Sequence, residues 1–384
     1  MSSSFLSRQM PVLNRFSGLA ALVFVISFIS MTIFALRASA QTASTSPKRL
    51  LGYYPEWGKT QTPPYTAAQI PYSQLTHISH AFVLIAPGAD GSLVIPPGMI
   101  EPALIKDAHA AGVKVLVSIG GGDGIEGPRF NEMSASETSR QNFISNVLKL
   151  LTTDGYDGVD IDWEVPNVIN EQDCTTLMQE LRAGLPSPWL ISMAVPSDPR
   201  SYGTGFNIPA LAPYVDFFNV MTYDYYGTWS GATGLVSPLL QDPGDPEQVG
   251  SVKNSMDLYE NTYGIPVAQL NIGTPFYGYE WDGVDTNWAL CATCASYSWN
   301  YGTYIKQRIN QQGWVWGDDP AARAPYLTNS TIPGFLTYDG VGSTKQKIAY
   351  VKQRGFGGVF MWELSADYDG TSQDLLDAMY SVWK

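Results

Sequence analysis

From Arg49 onward, short runs of β-branched and apolar residues alternate with longer stretches whose apolar positions recur every three to four residues, the pattern of βα units. Eight runs read as strands: 50–54, 75–85, 113–119, 158–163, 190–194, 217–221, 270–273 and 358–362. Between them the spacing predicts helices such as 134–151, opened by a Ser134…Glu137 capping box, and 171–185. Eight such units predict an α/β chain closed into a (β/α)8 TIM barrel. An open doubly wound sheet is the alternative, but no G-x-G-x-x-G follows the first strand to support a nucleotide fold.

The fourth run departs from ordinary patterning. In Asp157-Gly158-Val159-Asp160-Ile161-Asp162-Trp163-Glu164 the carboxylates at 160, 162 and 164 share one face, because strand side chains alternate. Val159, Ile161 and Trp163 take the other face and suit packing against helices. In a barrel the acids point inward as a column, with Glu164 nearest the C-terminal rim where barrel active sites lie. An acidic edge strand facing solvent would explain three acids, but not the large apolar residues between them. Neighbouring buried carboxyls cannot all ionise. A terminal Glu in such a stack can therefore stay protonated near neutral pH and donate to a leaving group. Asp157, at the strand's start, reads as structural, accepting bonds from loop N–H groups.

One spacing is anomalous. Between the seventh and eighth strands lies an insert, 279–336, rich in Trp, Tyr, Asp and Gly, with its own helical stretch at 301–312. So long a connection implies internal structure, and we expect a small α+β subdomain beside the barrel's active face.

Composition narrows the partners. A net charge of −13 argues against nucleic acid, which such a chain would repel. A neutral polymer meets no such barrier. Aromatics make up 12% of residues, including 11 Trp and 22 Tyr; most must fill the core, yet the excess also suits a cleft that stacks sugar rings.

The acidic strand resembles the D-x-x-D-x-D-x-E signature of glycoside hydrolase family 18, the chitinases and their relatives. Other segments resemble that family in order along the chain: Ser118-Ile-Gly-Gly121, Met221-Thr-Tyr-Asp224 with Gly227 and Trp229, Gly273-Thr-Pro-Phe-Tyr-Gly278, and Gly357-Gly-Val-Phe-Met-Trp-Glu363. The insert, including 316–327, resembles the chitinase insertion domain. The resemblance spans nearly all of 50–384. It implies retaining hydrolysis of β-1,4-linked N-acetylglucosamine in which the substrate's own acetamido oxygen attacks and forms an oxazolinium ion, a known exception to the two-carboxylate scheme. By that resemblance Glu164 is the acid/base and Asp162 bonds the acetamido N–H. Asp160 tunes Asp162 by sharing a proton, and Tyr223 fixes the acetamido carbonyl. Asp224 would bond the same sugar or the acid. Trp362 would floor the sugar at the −1 subsite, and Met221 would be a pocket wall. Trp57, Phe82, Trp229 and Trp281 are candidates for stacking along the cleft. Ser118 and its glycines read as close-packing residues; Glu363 and Asp367 read as rim residues or loop caps.

Many relatives carry a His after the Gly-x-Trp element, where this chain has Gly234-Leu-Val236, so the +1 contacts are expected to differ. Other activities share the resemblance: an endo-β-N-acetylglucosaminidase acting on N-glycans, a spore-coat or peptidoglycan-related hydrolase, or a non-catalytic chitin-binding lectin. Lectins of the family have typically lost the terminal Glu or an aspartate, and this chain keeps all of them.

Arg8 and Arg15, an apolar run at 18–36, and Ala38-Ser39-Ala40 form a secretory signal, with cleavage expected after Ala40. An uncleaved membrane anchor is the alternative reading. We expect a signal at 1–40, a polar leader at 41–48 and one catalytic domain at 49–384. The product would be a secreted monomer, extracellular or periplasmic, without stable membrane association. Its partners would be chitin or chitooligosaccharides. Cys291-x-x-Cys294 suits a local disulfide, Cys174 a buried position. The three histidines, His77, His80 and His109, share no ligand spacing, so neither metal nor cofactor is expected. Asn329-Ser-Thr331 is a glycosylation sequon.

Overall fold

The computed structural model describes residues 49–164, 170–202 and 206–384; the expected signal and leader lie outside the described residues. Eight parallel strands form the barrel: Arg49–Pro55 (β1), His77–Ile85 (β2), Lys114–Gly120 (β3), Gly158–Asp162 (β4), Leu190–Pro196 (β5), Phe217–Met221 (β6), Leu270–Pro275 (β7) and Gly358–Trp362 (β8). Each pairs with the next, and β8 returns to β1 with Arg49 opposite Gly358 and Gly52 opposite Met361. The ring is closed, which excludes the open sheet.

Alternation along β4 sets the site. Val159, Ile161 and Trp163 are buried against the helices. Trp163 stacks on Phe130 of the helix Glu126–Ser134, with centroids 4.8 Å apart and planes at 15°. That contact anchors the strand end carrying Glu164. Burying a ring of this size against another contributes several kcal/mol of packing, so Trp163→Ala would cost about 3–5 kcal/mol of stability.

Inward-facing Asp160 is fully enclosed and has five donors from five different strands. Its Oδ2 accepts from Tyr53 Oη at 2.8 Å, Ser118 Oγ at 2.8 Å and Ser79 Oγ at 3.1 Å. Its Oδ1 accepts from Ser192 Oγ at 2.5 Å and Asn219 Nδ2 at 3.3 Å. Such complete satisfaction offsets the cost of burying the carboxyl. Ser118 therefore does more than pack closely: it is a spoke of this hub. The glycines after it do serve close approach. Gly120 has φ +120°, and a Cβ there would lie 2.0 Å from the Asp162 carbonyl oxygen. A Cβ on Gly122 would stand 2.7 Å from the Glu164 carboxyl.

Two local expectations are corrected. The helix expected from 134 begins at Glu137, and Ser136 rather than Ser134 caps it. Ser134 instead ends the preceding helix, its hydroxyl bonded back to the Asn131 carbonyl. The helical stretch of the insert is a π-turn, Tyr301–Ile305, running into only Lys306–Ile309.

The insert is a five-stranded antiparallel sheet in the order Ser296–Asn300, Tyr277–Asp282, Gly334–Tyr338, Ala324–Asn329, Val315–Asp319. Its first strand in sequence starts two residues after β7 ends, so it rises directly from the barrel's C-terminal rim. Cys291 and Cys294 are joined as a disulfide, and Cys174 is buried. The sequon residue Asn329 is 7% exposed, its Oδ1 accepting from the N–H groups of Thr331 and Ile332; it builds a turn rather than presenting a free carboxamide.

Candidate active site

A cavity of about 680 Å³ opens at the C-terminal ends of the strands. Asp162, Glu164, Met221, Tyr223, Asp224, Trp57, Phe82 and Trp362 all line it. Five carboxyls, Glu56, Asp123, Asp162, Glu164 and Asp224, and no cationic side chain face it among the described residues.

Asp162 sits just above the Asp160 hub and is 4% exposed. Its Oδ1 is enclosed without a hydrogen-bond partner. No hydrogen bond joins the two aspartates, since both oxygens of Asp160 are taken by the five donors. Burial raises the Asp162 carboxyl well above the usual range, reinforced by the charges of Glu164 and Asp160. An unpartnered acceptor so deeply placed is costly unless a ligand supplies the donor.

Glu164, partly exposed at the rim, is pushed up to about 7 by burial and then by the charge of Asp224. That value suits a group that must donate a proton and later accept one near neutral pH. Asp224 has φ +60°, the left-handed region that non-glycine residues seldom adopt outside functional turns. Its Oδ1 accepts from Tyr277 Oη at 2.6 Å and Tyr279 Oη at 3.0 Å. Burial raises this carboxyl to about 6, and the two tyrosine hydroxyls oppose the rise.

Aromatic rings floor the cavity. Phe82 stacks on Trp362 with centroids 5.6 Å apart at 21°, and Trp57 tilts against both at 6.1 and 6.2 Å. Tyr53, a donor to Asp160, meets Trp362 edge-on at 5.4 Å. Tyr223 stands edge-on to Tyr277 at 6.2 Å and to Phe360 at 6.0 Å. A Cβ on Gly273 would lie 2.7 Å from its ring, so this strand position must be glycine.

Two aromatic candidates fall outside the cavity lining. Trp229 is 61% exposed and meets Tyr279 edge-on at 5.5 Å, on the solvent side of that ring. Trp281 is a core residue of the insert, 1% exposed and packed on Tyr279 and Phe335. It shares a strand face with Tyr277 and Tyr279, but each step of two residues moves about 6.6 Å further from the barrel.

Conversely, Tyr277 and Tyr279 belong to the site and were not singled out from sequence, although Tyr277 lies inside the Gly273–Gly278 motif. Asp157 accepts from the Val115 N–H at 2.7 Å and lies 2.9 Å from His109 Nε2, a structural role, with the N–H coming from β3 rather than from a loop. Glu363 and Asp367 are buried caps: Glu363 accepts from Ser365, and Asp367 from the N–H groups of Leu375 and Leu376.

A family model described as "Glycosyl hydrolases family 18" matches residues 49–367. The chain is 27% identical to Chitinase A1 of Niallia circulans, over 94% of this chain and 62% of that protein. It is 31% identical to a probable endochitinase of Caenorhabditis elegans, over 66% of this chain and 44% of that protein. It thus spans less than two thirds of the length of these relatives. Among solved structures, the Ostrinia furnacalis Group IV chitinase in complex with allosamidin superposes with a TM-score of 0.77 at 25% identity, covering 87% of this chain and 98% of that one.

Proposed function

The chain belongs to family 18 of the glycosyl hydrolases, and from that premise we propose that it is a chitinase cleaving β-1,4-linked N-acetylglucosamine with retention, the substrate's acetamido group serving as nucleophile. The observation that carries this reading is the enclosed, unpartnered Oδ1 of Asp162 beside a Glu164 carboxyl held at about 7. The first is an acceptor waiting for a donor; an acetamido N–H supplies one. The second is an acid present in useful amounts at neutral pH.

The proton inventory closes with these groups. Glu164 gives its proton to the glycosidic oxygen as the C1–O bond breaks. The acetamido oxygen attacks C1 from the opposite face and forms an oxazolinium ion. Asp162 accepts the acetamido N–H and opposes the positive charge that develops on that group. Tyr223 donates its hydroxyl to the acetamido oxygen and orients it. Glu164, now a carboxylate, takes a proton from the water that attacks C1 and displaces the acetamido oxygen, so the acetamido group is restored and two inversions give net retention. Asp160, held by its five donors, lies beneath Asp162 and tunes it.

Trp362 and Phe82 form the apolar floor for the −1 sugar, with Trp57 beside them. Asp224, tethered by two tyrosines, is held too firmly to serve as the attacking group; it bonds the bound sugar and raises Glu164. The insertion sheet, which places Tyr277 and Tyr279 on Asp224, walls the cleft for a linear chain. The same reading places the protein outside the cell, by way of the export signal at 1–40.

The product profile on defined oligomers tests this. Chitohexaose should be cut to shorter N-acetylated oligomers whose newly formed reducing ends are first seen as the β-anomer by proton NMR. A protein that ignored chitohexaose but released N-glycans from a glycoprotein would overturn the substrate assignment.

A further inference from the structure

Tyr223 and Asp224 stand just beyond β6, and a buried ion pair far from the cavity bears on where they stand. Lys347, on the helix Val341–Arg354, and Asp339, just after the insertion strand Gly334–Tyr338, are enclosed, with side-chain exposures of 0% and 1%. Lys347 Nζ bonds Asp339 Oδ2 and also donates to Ser237 Oγ at 2.5 Å. The other oxygen of Asp339 accepts from Ser343 Oγ at 2.7 Å.

Ser237 carries this contact onward by donating its own proton to the Thr222 carbonyl at 2.6 Å. Thr222 is itself latched to β7: its Oγ1 donates to the Gly273 carbonyl and accepts from the Gly273 N–H, both at 2.8 Å. On the far side of the pair, the Tyr225 N–H donates to the Val236 carbonyl at 3.2 Å. The Val236 N–H in turn donates to Thr337 Oγ1 at 2.8 Å. Tyr223 and Asp224 are thus held between two anchors, both on the dipeptide Val236–Ser237, which is pinned to the insertion's last strand and to Lys347.

An ion pair is an expensive means of holding a helix in place, since apolar residues of similar volume hold it as well or better. What apolar packing lacks is direction. An ammonium that must satisfy a carboxylate and a hydroxyl together fixes the hydroxyl, and so the carbonyl that it meets. We propose that Lys347, Asp339 and Ser237 are positioning residues for the reaction: they fix the Thr222 backbone and so hold Tyr223 and Asp224 at the cavity mouth. This rests on reading Tyr223 and Asp224 as substrate contacts. It gives the insertion a second task besides walling the cleft, because Asp339 and Thr337 belong to its exit strand and the turn after it.

Ser237→Ala, which leaves the ion pair intact, is the first test. Its kcat on chitohexaose should fall about tenfold with KM within about twofold, as displacement of a reacting group by less than an ångström predicts. Ser237→Thr keeps the hydroxyl and should restore most of the wild-type kcat. The double variant Lys347→Met/Asp339→Leu leaves no unpaired charge, should fold, and should show the same loss in kcat. Wild-type kcat in Ser237→Ala and the double variant overturns the proposal. So does a loss that appears only in KM, or one that merely tracks the folded fraction in thermal melts. A wild-type protein without turnover of chitohexaose overturns the reading of the site and this proposal with it.

Discussion

Glu164→Gln should lower kcat on chitooligosaccharides by about a hundredfold to ten-thousandfold, the range for loss of a positioned general acid and base. Binding should survive. Gln keeps the shape of Glu, and the rings of Trp362, Phe82 and Trp57 are untouched, so titration calorimetry with chitohexaose should give a Kd within a few-fold of the wild-type KM. The same variant should change stability with a definite sign. The Glu164 carboxyl is raised to about 7, above its unfolded value, so its protonated form favours folding at low pH. That contribution is lost as pH rises through about 7 and the native state must ionise a buried group. Removing the carboxyl should therefore raise Tm at pH 8, by roughly 1–3 kcal/mol of stability, and change it little at pH 4. Unchanged turnover would remove Glu164 from the reaction. A lower Tm at pH 8 would contradict its burial as a strained carboxyl.

Asp162→Asn should lower kcat by about a hundredfold to a thousandfold, comparable to removing one preorganised group that opposes transition-state charge. Asn retains an acceptor oxygen for the acetamido N–H, so ground-state binding should persist and KM should stay within a few-fold. What it lacks is a carboxyl that can turn negative as positive charge develops beside it, and negative charge is what an oxazolinium ion demands. The Asp160 hub beneath has its own five donors and should not rearrange, so the variant should fold. Steady-state kinetics with chitohexaose decides: a loss confined to KM would make Asp162 a binding residue only.

The barrel was legible because each strand is a short β-branched run bounded by turn residues, and the ends of every strand fall within two residues of those the pattern predicts. The column 160-162-164 was legible because period-two alternation is local information. The partners of Asp160 were not. Tyr53, Ser79, Ser118, Ser192 and Asn219 come from five strands, and nothing in their spacing says that closure of the ring aims them at one carboxyl. From sequence, Tyr277 and Tyr279 read only as part of a strand and a subdomain. Their role follows from the long-range meeting of their hydroxyls with Asp224, which no sequence period encodes. Trp281 was misplaced for the same reason: its strand face was right and its height above the barrel was not. The Ser134 cap failed because two adjoining helices share that stretch, and Ser136 is the residue with extended backbone.

The substrate-supplied nucleophile is tested most directly by changing the nucleophile alone. Aryl chitobiosides whose −1 acetamido group carries zero, one, two or three fluorines differ little in size but progressively weaken the attacking carbonyl oxygen. If that oxygen attacks C1 in the rate-limiting step, kcat should fall steeply along the series, by roughly a hundredfold or more from acetyl to trifluoroacetyl. A rate indifferent to fluorination would mean that a group of the protein attacks instead, and the central role given to Asp162 would be wrong.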